Sequence, residues 1–104
     1  MSPAVTPLSE WELRLADAVR DVRRASDVDQ IPLAIEAGLD VKTVGNIERG
    51  KRHARMDQLE AIVAAMARLS PTPTNVQTVT DLLAYADGRI SLTKRRDPGR
   101  TPQR

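Results

Sequence analysis

Lys42, Asn46 and Arg49, with Gly45 among them, recur at intervals of four, three and seven residues. On a helix turning 100° per residue, Lys42 and Arg49 point directly away from the side carrying Val44 and Ile47. Gly45 and Asn46 flank them, and Val41 and Thr43 lie at the edges. Such a face can do hydrogen-bond chemistry with base edges. A lysine donates to guanine O6/N7 or to phosphate, an asparagine pairs bidentately with adenine, and Val41 can touch a thymine methyl. Gly45 costs roughly 1 kcal/mol against alanine inside a helix; close approach of the backbone to another surface would explain it. Just beyond, Arg49, Lys51, Arg52 and Arg55 fall within seven residues with no acid among them, where an anionic partner would sit.

Reactive groups are scarce by comparison. The 104 residues include no cysteine and a single histidine, His53, which removes disulfides, thiolate metal sites and His-rich metal sites. No Ser-His-Asp set is evident, and no partner acid or base accompanies Glu48. Neither a catalytic residue, a cofactor nor a metal is expected, and the chain reads as a non-enzyme. No apolar run approaches the ~18–20 residues of a membrane span, and the first residues lack a signal-peptide layout. A soluble cytoplasmic protein without a membrane partner is the expectation.

The net charge of +2 is unevenly spread. Six of the sixteen basic residues but one of the fourteen acids lie in 89–104, leaving ten against thirteen in 1–88. The basic character therefore belongs to the C-terminal tail. That tail reads either as a solubilising end or as an electrostatic grip on phosphates, which would make affinity steeply salt-dependent.

The elements that must position the outward face follow from caps and periodicity. Residues 1–8, with Pro3 and Pro7, form a flexible arm. Ser9 and Glu12 make a capping box, with Leu8 and Leu13 spaced as its hydrophobic staple. A first helix runs to about Ala25 with Trp11, Leu15, Ala18, Val19 and Val22 as its buried stripe. A second helix begins at Asp29 or Ile31 and stops at Gly38, with Leu33 and Ala34 inward. Asp40 caps a third, Val41 to Arg49, that stops at Gly50. The fourth opens at Met56 or Asp57 and buries Leu59, Ile62, Val63 and Met66. Residues 9–69 make one domain, 70–74 a linker, 75–92 a C-terminal helix and 93–104 a disordered basic tail. The stripe Val76, Val79, Leu82 and Leu83 either pads the domain or forms a dimer seam, and Val/Thr content leaves a strand open at 76–80.

From Leu15 to Met66 the chain resembles the XRE family of helix-turn-helix proteins, which includes the lambdoid phage repressors and Cro. The matching residues are Arg20, Arg23, Gln30, Leu33-Ala34, Ala37-Gly38, Val44, Ile47-Glu48-Arg49-Gly50-Lys51-Arg52, Leu59 and Ile62. The resemblance implies an all-α fold, a compact four- to five-helix bundle with the third helix in the major groove. It also implies homodimers on half-sites about one DNA turn apart. By this analogy Gln30, Lys51 and Arg52 hold phosphates while Val41, Lys42 and Asn46 read bases. Arg49 would share the backbone role. Glu48 resembles the family's buried glutamate, expected to pair with Arg20 or Arg23. Three features depart from the pattern. Pro32 suits the first helical position and disfavours a helical Ile31, so the second helix would begin late and draw Gln30 from its phosphate. Asp40 replaces the usual Ser or Thr, capping well but bringing negative charge near DNA. His53-Ala54 replaces Asn-Pro and changes the loop.

The resulting expectation is a dimeric transcriptional repressor that binds double-stranded DNA at an inverted repeat and acts by occluding a promoter. The alternative is an antitoxin-like protein whose 70–104 segment binds a protein partner while the helix-turn-helix regulates its own operon.

Overall fold

The chain's reversal after the third helix and the start of the first helix are solved together, at Gly50. In the computed structural model, which describes residues 8–94, Gly50 has a φ of +68°, and a Cβ there would lie 2.8 Å from Leu13 Cδ2. Leu8 Cδ1 is 3.6 Å from the same point, so the two staple leucines meet over this glycine. Both the left-handed backbone and the close approach exclude a side chain. The capping box is formed: Ser9 Oγ accepts from the Glu12 N–H at 3.1 Å, and Glu12 Oε1 accepts from the Ser9 N–H at 3.0 Å.

Five helices result: α1 (Glu10–Ala25), α2 (Gln30–Ala37), α3 (Val41–Glu48), α4 (Met56–Leu69) and α5 (Val79–Ala86). The described residues contain no strand, only an isolated antiparallel bridge between Thr74 and Lys94. α2 packs on α3 and α4, while α1 packs on α3 and α5, which closes the helices around one core. Val19, Val22, Leu33, Val44, Ile62 and Leu82 are fully buried there, one or more from every helix. The fold is the all-α bundle expected.

Several boundaries differ from the sequence reading. α2 starts at Gln30, with Asp29 as N-cap, despite Pro32 at its third position. The first turn of a helix has no intrahelical acceptors for its N–H groups, so a proline there forfeits nothing. Residues 70–74 are not a free linker. Ser70 Oγ donates to the Ser26 carbonyl at 2.7 Å, Thr72 Oγ1 to Asp27 at 2.9 Å, and Thr74 is buried.

α5 is shorter than 75–92 because Thr78 caps it, which also excludes a strand at 76–80. Beyond it Ile90 and Leu92 pack back onto the core. Thr93 and Lys94, assigned to the tail, are paired instead: Asn75 N–H donates to the Thr93 carbonyl at 2.8 Å, and Asn75 Oδ1 accepts from the Thr93 N–H at 2.9 Å. The remainder of the tail and arm lies outside the described residues.

Candidate nucleic-acid interface

The turn between α2 and α3 follows from Gly38, whose φ of +72° ends α2. Leu39 N–H then closes on the Ala34 carbonyl at 2.9 Å, and the chain re-enters a helix after Asp40. Asp40 holds the N-cap position but makes no capping hydrogen bond, contrary to the expectation that it caps well. Local signals therefore hold α3 weakly. Tertiary contacts compensate, through Val44 and Ile47 in the core and through Glu48.

Among the described residues Glu48 is the one charged residue that is buried, with its side chain 2% exposed against 12% for its partner Arg23. Arg23 Nε donates to Glu48 Oε2 at 2.6 Å and Nη2 donates to Oε1 at 3.0 Å. Gln30 Nε2 donates to the same Oε1 at 3.0 Å, and Arg23 Nη1 donates to the Val28 carbonyl at 3.0 Å. One carboxylate thus ties α1, α2 and α3 together, with both oxygens satisfied. Buried charge is tolerable only when paired and hydrogen-bonded in this way. Arg20, the other expected partner, pairs with Asp17 instead, at 2.9 Å.

With its inner side fixed, α3 turns Val41 and Lys42 to the surface, with Thr43 and Asn46 half-buried beside them. Arg49 lies just past the helix end, since α3 stops at Glu48, one residue earlier than expected. Its guanidinium folds back over the same face rather than away from it. Arg49 Nη2 donates to Asn46 Oδ1 at 2.9 Å. Gly45 is buried beneath it: a Cβ there would lie 3.0 Å from Nη1 and 3.3 Å from Nη2. The close approach that Gly45 permits, in the free protein, is that of Arg49.

The flanking basic residues divide into two groups. Lys51 and Arg52 are exposed and form no ion pair among the described residues. Arg55 is engaged locally, Nε donating to Asp57 Oδ1 at 3.0 Å and Nη2 to Oδ2 at 3.2 Å. His53 Nδ1 meets Glu12 Oε2, which ties the α3–α4 loop to the start of α1. The Ser9 backbone N–H, then the His53 ring, hold the Glu12 carboxyl below the usual carboxylate range. Gln30 spends one amide proton on Glu48, and the second remains for an outside acceptor.

The second surface of interest lies between α1 and α5. Val76 and Leu82, open to reading as padding of the domain or as part of a dimer seam, are core residues of the chain itself, at 3% and 0% exposure. Their side chains are spent on the fold. Val79 and Leu83 are half-buried and still reach the surface. Trp11, expected in the core, is also half-buried: Arg14 stacks 5.6 Å from its ring centroid. Trp11, Thr80, Leu83, Ala84, Asp87 and Arg89 line one open groove. The stacked Arg49–Gly45 pair and the Trp11 groove escaped the sequence reading, although the four-residue spacing of Gly45 and Arg49 was a usable signal for the first.

Among the described residues no group of three His, Cys, Asp or Glu side chains is placed to hold a metal ion. No described helix is long and apolar enough to cross a membrane. No protein-family model and no curated protein sequence matches the chain. Solved structures do. The restriction-modification controller protein C.AhdI from Aeromonas hydrophila is 30% identical, over 52% of this chain and 82% of that one, with a TM-score of 0.50. The clp gene regulator ClgR from C. glutamicum is 21% identical, over 84% of this chain and 100% of that one, with a TM-score of 0.64. The wild-type restriction-modification controller protein C.Esp1396I is 21% identical, over 77% of this chain and 95% of that one, with a TM-score of 0.59.

Proposed function

The chain belongs to the XRE family of helix-turn-helix proteins, and from that premise we propose that it is a sequence-specific DNA-binding transcriptional regulator, a repressor acting as a homodimer on an inverted repeat. The observation that carries this reading is the outward side of α3. Val41, Lys42 and Asn46 face outward there, with Lys51 and Arg52 beside them, and neither Lys42 nor these two is neutralised by a carboxylate among the described residues. A helix pinned rigidly from behind and donor-rich in front suits a major groove. The names of the similar proteins, controllers of restriction-modification and a gene regulator, point the same way.

In this reading Val41, Lys42, Thr43 and Asn46 meet base edges, and Gln30, Lys51, Arg52 and Arg55 hold phosphates. Arg55 would have to exchange Asp57 for phosphate. Dimerisation would use what Val79 and Leu83 leave exposed, together with the Trp11 groove. Repression would come from occlusion of a promoter, with no reaction catalysed, and the protein would act in the cytoplasm.

The test is selection of the full chain on a random DNA pool at physiological salt. Enrichment of an inverted repeat with half-sites about one turn apart is the expected result. Asn46→Ala should relax one position of each half-site, whereas Lys51→Ala should weaken all sequences alike and lower the salt slope by about 1. No enrichment would overturn the reading. Leu83→Asp should leave a folded monomer by light scattering. A stoichiometric small protein bound at that groove would favour the antitoxin-like alternative, for which the acidic excess in residues 1–88 argues.

A further inference from the structure

We propose that Arg49 and Asn46 form a single base-reading unit, in which Arg49 specifies a guanine rather than gripping a phosphate. The proposal rests on the DNA-binding reading above and concerns which residue of that face sets sequence preference. Three observations carry it. Arg49 lies beyond the last helical residue, yet its guanidinium returns over α3 to cover Gly45, with Nη1 and Nη2 3.0 and 3.3 Å from where a Cβ would stand. It donates to Asn46 Oδ1 at 2.9 Å, so it lies beside the amide of that half-buried residue. It has no carboxylate partner among the described residues, and most of its donors stay open.

The chemistry follows from that placement. A free asparagine amide offers one acceptor and one donor edge and pairs bidentately with adenine. The Arg49 hydrogen bond engages Oδ1 and leaves Nδ2 as the group the amide can offer a base, a donor. The planar fork beside it matches guanine O6/N7, which asks for two donors at one edge. Arg49 and Asn46 together present a row of donors, so the face favours guanine over adenine at the step they share. Lysine at position 49 would keep the charge and lose the fork.

The experiment compares the wild-type chain with Arg49→Lys, Arg49→Ala, Asn46→Ala and the double variant Arg49→Ala/Asn46→Ala. Each is selected on the same random DNA pool and titrated on the enriched site, with circular dichroism as a check of folding. Arg49→Lys should keep the salt slope yet lose roughly ten- to hundredfold of guanine preference at one position per half-site. The double variant should lose less than the product of the two single losses, since the residues act together. Arg49→Ala or Arg49→Lys with an unchanged base preference and a uniform loss on every sequence would make Arg49 a phosphate contact and overturn the proposal. Multiplicative losses in the double variant would overturn the coupling. A wild-type chain that enriches nothing would instead remove the DNA-binding reading itself.

Discussion

α3 and α5 are both eight residues long, yet opposite forces hold them. α5 is built locally. Thr78 Oγ1 accepts from the Asp81 N–H at 3.1 Å, and Asp81 Oδ2 accepts from the N–H groups of Gln77 and Thr78 at 3.0 and 3.2 Å. Tyr85 then donates to Asp21 at 3.0 Å on α1, and Leu82 enters the core. α3 has a glycine in its middle and an N-cap that makes no side-chain bond. Its position comes from distant residues, through Val44, Ile47 and the Arg23–Glu48–Gln30 network. Eight residues are too few to be helical alone in either case. α3 is secured from its back, which leaves its outward side free for the proposed partner.

Substitutions at the two helices should separate these modes. The largest effect is expected for Glu48→Ala, which leaves the Arg23 guanidinium buried and unpaired at a cost of ~3–5 kcal/mol. Urea unfolding would measure it. A loss under 1 kcal/mol would mean that Arg23 reaches water when released and that α3 is held by apolar contacts alone. Next is Leu82→Ala, about 2–5 kcal/mol from lost burial and the cavity left behind. Because α5 packs on α1, this loss should appear as global destabilisation rather than fraying of α5, which hydrogen exchange distinguishes.

Smaller effects sharpen the contrast at the caps. Thr78→Ala should cost about 1 kcal/mol by thermal unfolding, whereas Asp40→Ala should leave stability nearly unchanged, since no capping bond is lost. If the two lose equally, α3 is capped in solution after all. Asp40→Ala should also raise affinity for DNA slightly at low salt, by removing a negative charge beside the proposed interface.

The smallest effect is the share of the acid dependence that Asp81 adds at α5, beside that of Glu12 at α1. The Gln77 backbone N–H, then Thr78, hold the Asp81 carboxyl below its ordinary value of 3.8. A carboxyl with a lowered folded value adds stability that is complete above the unfolded value and disappears as pH falls through the folded one. Acid titration of the wild-type protein should therefore lose this contribution below about pH 4, and Asp81→Asn should make the profile shallower there, with the slope from Glu12 remaining. An unchanged profile would show that the cap does not couple to protonation.

Much of this architecture was legible in the residues. The capping box at Ser9 and Glu12, the stop at Gly38 and the stripe of Leu59, Ile62, Val63 and Met66 depend on neighbours within a turn or two, and spacing alone reveals them. The outward side of α3 was legible for the same reason: once Val44 and Ile47 point inward, Lys42 and Asn46 must point out. Pro32 misled because a residue's cost depends on where the helix begins, which the packing of α2 on α3 and α4 decided. The 70–74 stretch misled because its composition resembles a spacer, while Ser70 and Thr72 bond to Ser26 and Asp27 across a distance no pattern records.

The sequence by itself determined the first four helices, their approximate ends and the outward face of α3, since these follow from local hydrogen bonding and a 3.6-residue period. Only the tertiary structure decided which arginine meets Glu48, that Val76 and Leu82 belong to the core, that Trp11 borders a groove, and that Arg49 lies on Gly45. Each of these depends on which long side chain reaches which partner. Arginine and tryptophan span enough distance that several partners are open to them, and the packed core selects one.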